Sequence, residues 1–245
     1  MSAQGGKPED EVSEVLRRWP LAREQPDRVR FLTTDRGAKR LQERVSLGNL
    51  EMEVVGRPDG AAPGGFGTEL DRARSGGVPP RGEVCERLRE EIEIYRQRAS
   101  AFLTLREYAR AAIDASHCIE VARFVQIAAG QEFAAHGFDA LLLAALLMRT
   151  QALATGALHL NDSTGALRAV EAGLRDIEAC EFGVRGIDRA GYLELELMRS
   201  LREALVPKLP SSQRADLVDR LAAALRAENY ELAAILRNEL RQMGA

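Results

Sequence analysis

Between residues 84 and 102, six apolar residues recur at helical spacing. Val84, Leu88, Ile92, Tyr95, Ala99 and Phe102 are separated by 4, 4, 3, 4 and 3 positions, with Glu and Arg filling the places between. At 3.6 residues per turn such a series lies on one face of a helix, and a face this long must be buried against other helices. The chain supplies them. The pattern predicts further helices over about Glu107 to Phe124, and then over 131–156, 163–180, 188–206, 213–227 and 230–242. Asp162 or Ser163, Asp188, and Ser211 or Ser212 stand where N-caps belong, and Pro207 and Pro210 close the helix over 188–206. The run FDALLLAALLM (138–148) leaves the helix over 131–156 little polar face, so that helix is expected to lie deepest. The run is about half of what a bilayer span needs. Ala and Leu carry much of the apolar 45%, and aromatic residues make up only 5%, which favours closely packed helices over an aromatic-rich sandwich.

A different period rules the N-terminal part. Val45 and Leu47 alternate with Arg44 and Ser46, and Leu50, Met52 and Val54 alternate with Glu51 and Glu53. Period two predicts strands, with Gly48-Asn49 suited to a hairpin turn and Asp35-Arg36-Gly37 to an earlier one. A helix through 38–55 is the competing reading. Residues 56–82, rich in Gly and Pro, read as a linker or ordered loop. The expected organisation is a partly disordered tail with a short helix (1–28), a small β-meander (29–60), a Gly/Pro-rich linker or loop (61–82), a helical domain (83–206) and a C-terminal helical hairpin (211–245). Trp19, the sole tryptophan, reads as a hydrophobic core plug.

Within the helical part, 95–122 and 150–177 share a pattern. Ala99 and Ala154 precede Ala111 and Ala166 by twelve positions, Phe102 and Ala157 stand between them, and Cys118 and Gly173 follow by seven. This resembles tetratricopeptide (TPR) repeats, where small residues let paired helices approach closely. The copies are 55 residues apart, not 34, and the second lacks the usual aromatic residues. Stacked hairpins without kinship give the same small-on-small contacts. The resemblance implies a groove that binds protein partners, with Glu93, Arg96 and Ser100 at groove-facing positions. A solvated helix face is the plain alternative for each.

The closing stretch, DLVDRLAAALRAENYELAAILRNEL, resembles the UVR motif found at the ends of the bacterial repair proteins UvrB and UvrC, and also in stress-response adaptors and Clp-type ATPases. Leu221, Ala224 and Leu225 form the first stripe. Glu228, Asn229, Tyr230 and Glu231 form the turn, and Ala233, Ala234, Leu236, Arg237, Asn238 and Leu240 follow. Asn238 stands where the family often has Asp. Helical spacing expects Leu221, Leu225, Leu236 and Leu240 to close the seam, and Glu228 and Arg237 to form an ion pair within the hairpin or across an interface. The resemblance implies a protein-interaction module, with Glu228, Tyr230, Ala233, Leu236, Arg237 and Leu240 as its contact residues. Its partner would be another protein, another UVR-bearing chain or a second copy. Uncharacterised bacterial proteins resemble the whole plan, pairing a VSLGNLEMEVVGRPDG-like segment with a helical middle and this tail.

Motifs for chemistry are missing. There is no GxxxxGK[ST] phosphate loop, GxSxG, HExxH or GxGxxG. Cys85, Cys118 and Cys180 lie far apart, without a CxxC, which fits a reduced, cytoplasmic setting. His117 and Cys118 are adjacent on a helix and diverge, and His136 and His159 have no Cys or His at ligand spacing, so no metal and no cofactor are assigned. Net charge of −3 does not suggest an electrostatic nucleic-acid binder. Residues 28–57 are mildly basic, however, so Arg36, Lys39 and Arg40 are the candidate phosphate contacts of a DNA-repair accessory. Asp59 in GRPDG is the candidate of an enzymatic reading, against an ordinary Asp-Gly turn. The leading expectation is a mainly α, non-enzymatic adaptor: a TPR-like antiparallel helical-hairpin array carrying a β-meander and a UVR-type hairpin, with no membrane segment.

Overall fold

The computed structural model describes residues 19, 28–46, 48–180, 195–200, 202–203, 213–226, 229 and 232–237. The chain divides into two compact units, Met1–Arg202 and Glu203–Ala245. Among the described residues it is mainly helical, with one small antiparallel sheet.

The period-two segment forms a three-stranded meander, β1 (Val29–Thr33), β2 (Lys39–Val45) and β3 (Gly48–Glu53), in the order β1-β2-β3. Thr34 closes the first turn, its hydroxyl accepting the Ala38 N–H at 3.1 Å, and Gly37 takes a φ of 78° there. The second turn is not at Gly48-Asn49. Both residues are already in the ladder, Gly48 opposite Val45 and Asn49 opposite Arg44, so the reversal falls two residues earlier, between Val45 and Gly48. Arg44 explains the shift: its guanidinium donates to the carbonyls of Val45 and of Gly48, tying the hairpin end. Leu47 lies outside the described residues.

Register puts Val29, Leu41 and Met52 on one face, because Phe31 pairs with Leu41 and Leu41 with Met52. That face is buried with Ala101, Phe102, Ala111, Ala112 and Ala152 of the helices. Its far end frays: Leu50, read as an inward residue, is exposed. The opposite face carries a polar row across the strands. Arg30 Nε donates to Gln42 Oε1 at 3.0 Å, and Gln42 Nε2 donates to Glu51 Oε1 at 2.5 Å. Trp19 is on this polar side, half-buried under the Arg30 guanidinium at 4.0 Å, and is not a core plug.

The 61–82 stretch is more structured than its Gly and Pro suggest. It holds a 3-10 turn at Pro63–Gly65 and α1 (Glu69–Ser75), capped by Thr68, whose hydroxyl accepts the Asp71 N–H at 3.0 Å. Then come α2 (Glu83–Thr104), α3 (Tyr108–Ala128), α4 (Gly130–Ala135), α5 (Phe138–His159) and α6 (Ser163–Glu178), with 195–200 also helical. The single helix expected over 131–156 is broken at His136-Gly137, where Gly137 adopts a left-handed φ of 70°. The stripe on α2 is buried from Leu88 to Phe102, while Val84 is only half-buried. Helix α5 packs between α3 and α6, burying Phe138, Leu142 and Leu146 completely. Among the described residues it alone is long and apolar enough to cross a membrane, because the helix runs to His159, well past the FDALLLAALLM run.

The 55-residue internal shift extends to the backbone. Helices α2 and α5 each have 22 residues and begin at 83 and 138, and α3 and α6 begin at 108 and 163. Both hairpins turn through the same Schellman motif. Arg106 and Asn161 take a φ of 60°, and the next residue's N–H reaches five residues back, Glu107 to Phe102 O and Asp162 to Ala157 O, both at 2.8 Å. Asp162 then caps α6, accepting the Gly165 N–H at 2.7 Å. The small residues at equivalent places, Ala99, Ala154, Ala111 and Ala166, are all buried.

In the second unit, α7 (Gln213–Arg226) precedes a turn at Asn229 and a helical stretch over 232–237. The Asn229 N–H reaches Ala224 O at 2.9 Å to close α7, and its side-chain carbonyl accepts the Leu232 N–H at 3.1 Å to start the next helix. The seam consists of Ala224, Ala233 and Leu236, with Leu221 packed against them. Leu225, expected in the seam, is 51% exposed. Ala224 takes its place, a small residue that lets the two helices close up.

Candidate functional sites

Of the contact residues that the UVR resemblance implies, three lie among the described residues. Ala233 and Leu236 are buried in the hairpin seam and Arg237 is exposed, while Glu228, Tyr230 and Leu240 lie outside the described residues. Outward from the seam point Leu225, Leu232 and Ile235, the last 57% exposed. Leu232 and Ile235 are three apart on a helix and so share a face.

On the helical body, Glu93 and Arg96 sit on the outer face of α2 and bond to each other, Arg96 Nη2 to Glu93 Oε2 at 2.6 Å. An exposed pair of this kind contributes under about 1 kcal/mol. Ser100 is exposed and borders a cavity of about 180 Å³ between α2 and the sheet, together with Arg28, Glu43, Arg44 and Thr104. An apolar cleft of about 490 Å³ opens at the two shared turns, lined by Tyr108, Leu153, Gly156 and Leu160.

The basic residues proposed for phosphate are not a free cluster. Arg36 and Lys39 are exposed at the β1–β2 turn, but Arg40 is tied across the ladder to Glu53 at 2.6 Å. Asp59 is likewise committed. Its carboxylate accepts Arg57 Nε at 2.9 Å and the Ala61 N–H at 3.0 Å. Partial burial raises its pKa, but these donors outweigh that and hold it below the ordinary Asp value.

The GRPDG segment is instead anchored to a buried polar network that the sequence pattern did not reveal. Glu91, fully buried on α2, accepts Arg57 Nη1 at 2.8 Å and the Glu69 and Leu70 N–H groups at 2.5 and 3.3 Å, and contacts His117 Nε2 at 3.0 Å. It thereby satisfies the first N–H groups of α1 and pins loop, α1 and α3 to one carboxylate. One turn further along α2, Tyr95 packs its ring against His117 in a tilted contact, and a turn beyond that Arg98 reaches Asp114. Burial pushes Tyr95 up to about 12, with Glu91 adding to the rise. The Asp114 carboxyl is also raised by burial, against the opposing pull of Arg98. Side chains of alternating charge on an apolar stripe were the available signal: Glu91 and Arg98 flank Ile92, Tyr95 and Ala99 on the buried face.

The fold also corrects the isolation of His136. Cys85 from the first turn of α2, Glu132 of α4 and His136 at the α4–α5 break come together, with one ligand atom from each lying within 4.8 Å of the others. His136 Nε2 is 2.9 Å from Glu132 Oε2, and Nδ1 is 2.9 Å from Glu86 Oε1. Cys85 is fully buried, Glu132 and His136 half-buried. Burial, with the charges of Glu132 and Glu86, raises the Cys85 thiol pKa. Glu132 and His136, four apart, were a legible half of this cluster; Cys85, distant in sequence, was not. His117 and Cys118 do diverge, the thiol turning to the Ile92 carbonyl. His159 packs near Tyr108.

Comparison with family models, curated proteins and solved structures gives no match to this chain.

Proposed function

We propose that the protein is a non-enzymatic adaptor that holds a protein partner through its C-terminal, UVR-type helical hairpin and also carries a TPR-like helical body. The observation that carries this reading is the division of apolar residues in the second unit. Ala224, Ala233 and Leu236 satisfy the seam, yet Leu225, Leu232 and Ile235 remain outside. A hairpin needs only one apolar face to hold itself together; a second, exposed one costs solubility unless it is used. The repeated 55-residue hairpins, with small residues at their crossings and an apolar cleft at their turns, support a body built for binding. Rim charges such as Glu93 and Arg96 would set orientation more than affinity.

The test is capture from a bacterial lysate by the full chain and by Leu232→Asp/Ile235→Asp. The reading expects at least one protein retained by the first and lost by the second, and a direct association of that purified protein with the full chain. Identical sets of captured proteins would remove the hairpin from the function.

A further inference from the structure

We propose that Cys85, Glu132 and His136 form a binding site for a zinc-class divalent cation, with Glu86 orienting the imidazole. The three side chains come from three places in the chain, the start of α2, the short α4 and the residue after it, and their ligand atoms converge within 4.8 Å. Tetrahedral zinc with bonds of about 2.0–2.3 Å sets its ligand atoms roughly 3.3–3.7 Å apart, so adjustments of about an ångström complete the site.

The contacts around His136 call for a positive charge between the carboxylates, either a second ring proton or a cation at Nε2. Each ring nitrogen faces a carboxylate oxygen at 2.9 Å, Nδ1 facing Glu86 and Nε2 facing Glu132. A neutral imidazole has a single N–H and can donate to only one of them. A cation at Nε2 resolves this: Nδ1–H donates to Glu86, while Nε2 and Glu132 turn to the metal. A histidine ligand whose other ring nitrogen donates to a carboxylate is the usual second-sphere arrangement of zinc sites. The donor set selects the ion. Thiolate and imidazole favour zinc over magnesium or calcium, which take oxygen ligands. The carboxylates of Glu86 and Glu132, both against His136, supply negative charge that a dication offsets.

Three protein ligands leave a fourth position. Glu132 and His136 are themselves partly exposed, which leaves water a route to it. The bound ion would staple the first turn of α2 to the α4–α5 break, adding to the Glu86–His136 contact already there.

The experiment is titration of the chelator-treated full chain with cobalt(II), followed by competition with zinc. Wild type should develop a thiolate-to-cobalt charge-transfer band that saturates at one equivalent and disappears on adding zinc. Cys85→Ser should lose the band. His136→Gln and Glu132→Gln, which change half-buried side chains and leave the core intact, should weaken zinc at least tenfold. Glu86→Gln should weaken it by about 10–100-fold. Helical circular dichroism checks that each variant is folded. Should folded wild type give no charge-transfer band, or should the band survive in both Cys85→Ser and His136→Gln, the assignment is overturned. A His136 imidazolium held between Glu86 and Glu132 would then account for the cluster.

Discussion

Arg98 of α2 grips Asp114 of α3 through two parallel hydrogen bonds, Nε to Oδ2 at 2.8 Å and Nη2 to Oδ1 at 2.7 Å, with both side chains only 4% exposed. The remaining guanidinium nitrogen, Nη1, donates to the carbonyls of Glu53 and Gly56 at 2.7 and 2.8 Å. One side chain thus joins two helices to the end of β3. Removing it strands a buried carboxylate and takes a donor from the partly buried Glu53 carbonyl and from that of Gly56. Arg98→Met should therefore lower the unfolding free energy by about 3–5 kcal/mol, read from urea midpoints. Arg98→Met/Asp114→Leu should recover part of that loss, because no charge is then stranded.

Gly173 on α6 marks another tight place. A Cβ there would overlap Thr150 Oγ1 and come within 2.6 Å of Met198 Cε. The methionine can bend away, but Thr150 is β-branched and its hydroxyl donates to Leu146 O at 2.8 Å, so it cannot. Gly173→Ala, favourable by helix propensity alone, should instead cost about 1–3 kcal/mol by overpacking. Thermal unfolding of Gly173→Ala against Gly173→Ala/Thr150→Ala measures it, the second change making room. A gain in stability from Gly173→Ala by itself would mean that α5 and α6 are not in close contact there.

What the sequence made legible was what depends on period. The apolar stripe from Leu88 to Phe102, the period-two strands and the paired small residues are one-dimensional patterns that burial enforces. The misplaced features depend on single side chains acting over distance. Arg44 moved the β2–β3 turn by bonding the carbonyls on both sides of it. Gly137 split a helix whose apolar run carried no visible break. Leu225 lost its seam position to Ala224 because the smaller residue allows a closer crossing. The buried ionic network was hidden for the same reason, since Glu91 and Arg98 look like solvated helix charges until loop and strand carbonyls, helix N–H groups and neighbouring side chains close over them. Cys85 and His136 meet only because α2 and the α4–α5 break are neighbours in space.

Alkaline pH should weaken the fold through its buried weak acids. Burial lifts Cys118 from 9.0 to about 12 and Tyr95 from 10.0 to about 12. Both folded values are raised, so their contribution is fully present below the unfolded value. Between about pH 9 and 12 the unfolded chain gives up protons that the folded chain keeps, and stability falls as pH rises. Tyr95→Phe removes one of these acids while keeping the ring against His117. The mutant should lose less stability between pH 10 and 12, by on the order of 2 kcal/mol. Chemical unfolding at stepped pH decides it; parallel pH profiles for mutant and wild type would show that Tyr95 ionises as freely folded as unfolded.

The C-terminal hairpin should respond oppositely to changes on its two faces. Leu236 is 1% exposed and packs with Ala224 and Ala233, whereas Leu232 and Ile235, on the same short helix, are 38% and 57% exposed. Truncating a buried leucine loses its transfer energy and leaves a cavity, about 2–5 kcal/mol in a well-packed core. A two-helix unit of this size has little stability in reserve, so Leu236→Ala should melt it and free its amides to fast hydrogen exchange. Leu232→Ser/Ile235→Ser removes apolar surface that already meets water and should leave exchange protection over 213–226 nearly unchanged. Equal loss of protection in the two variants would mean that the outer leucine and isoleucine hold the hairpin itself together, and they would then no longer be available as a docking face.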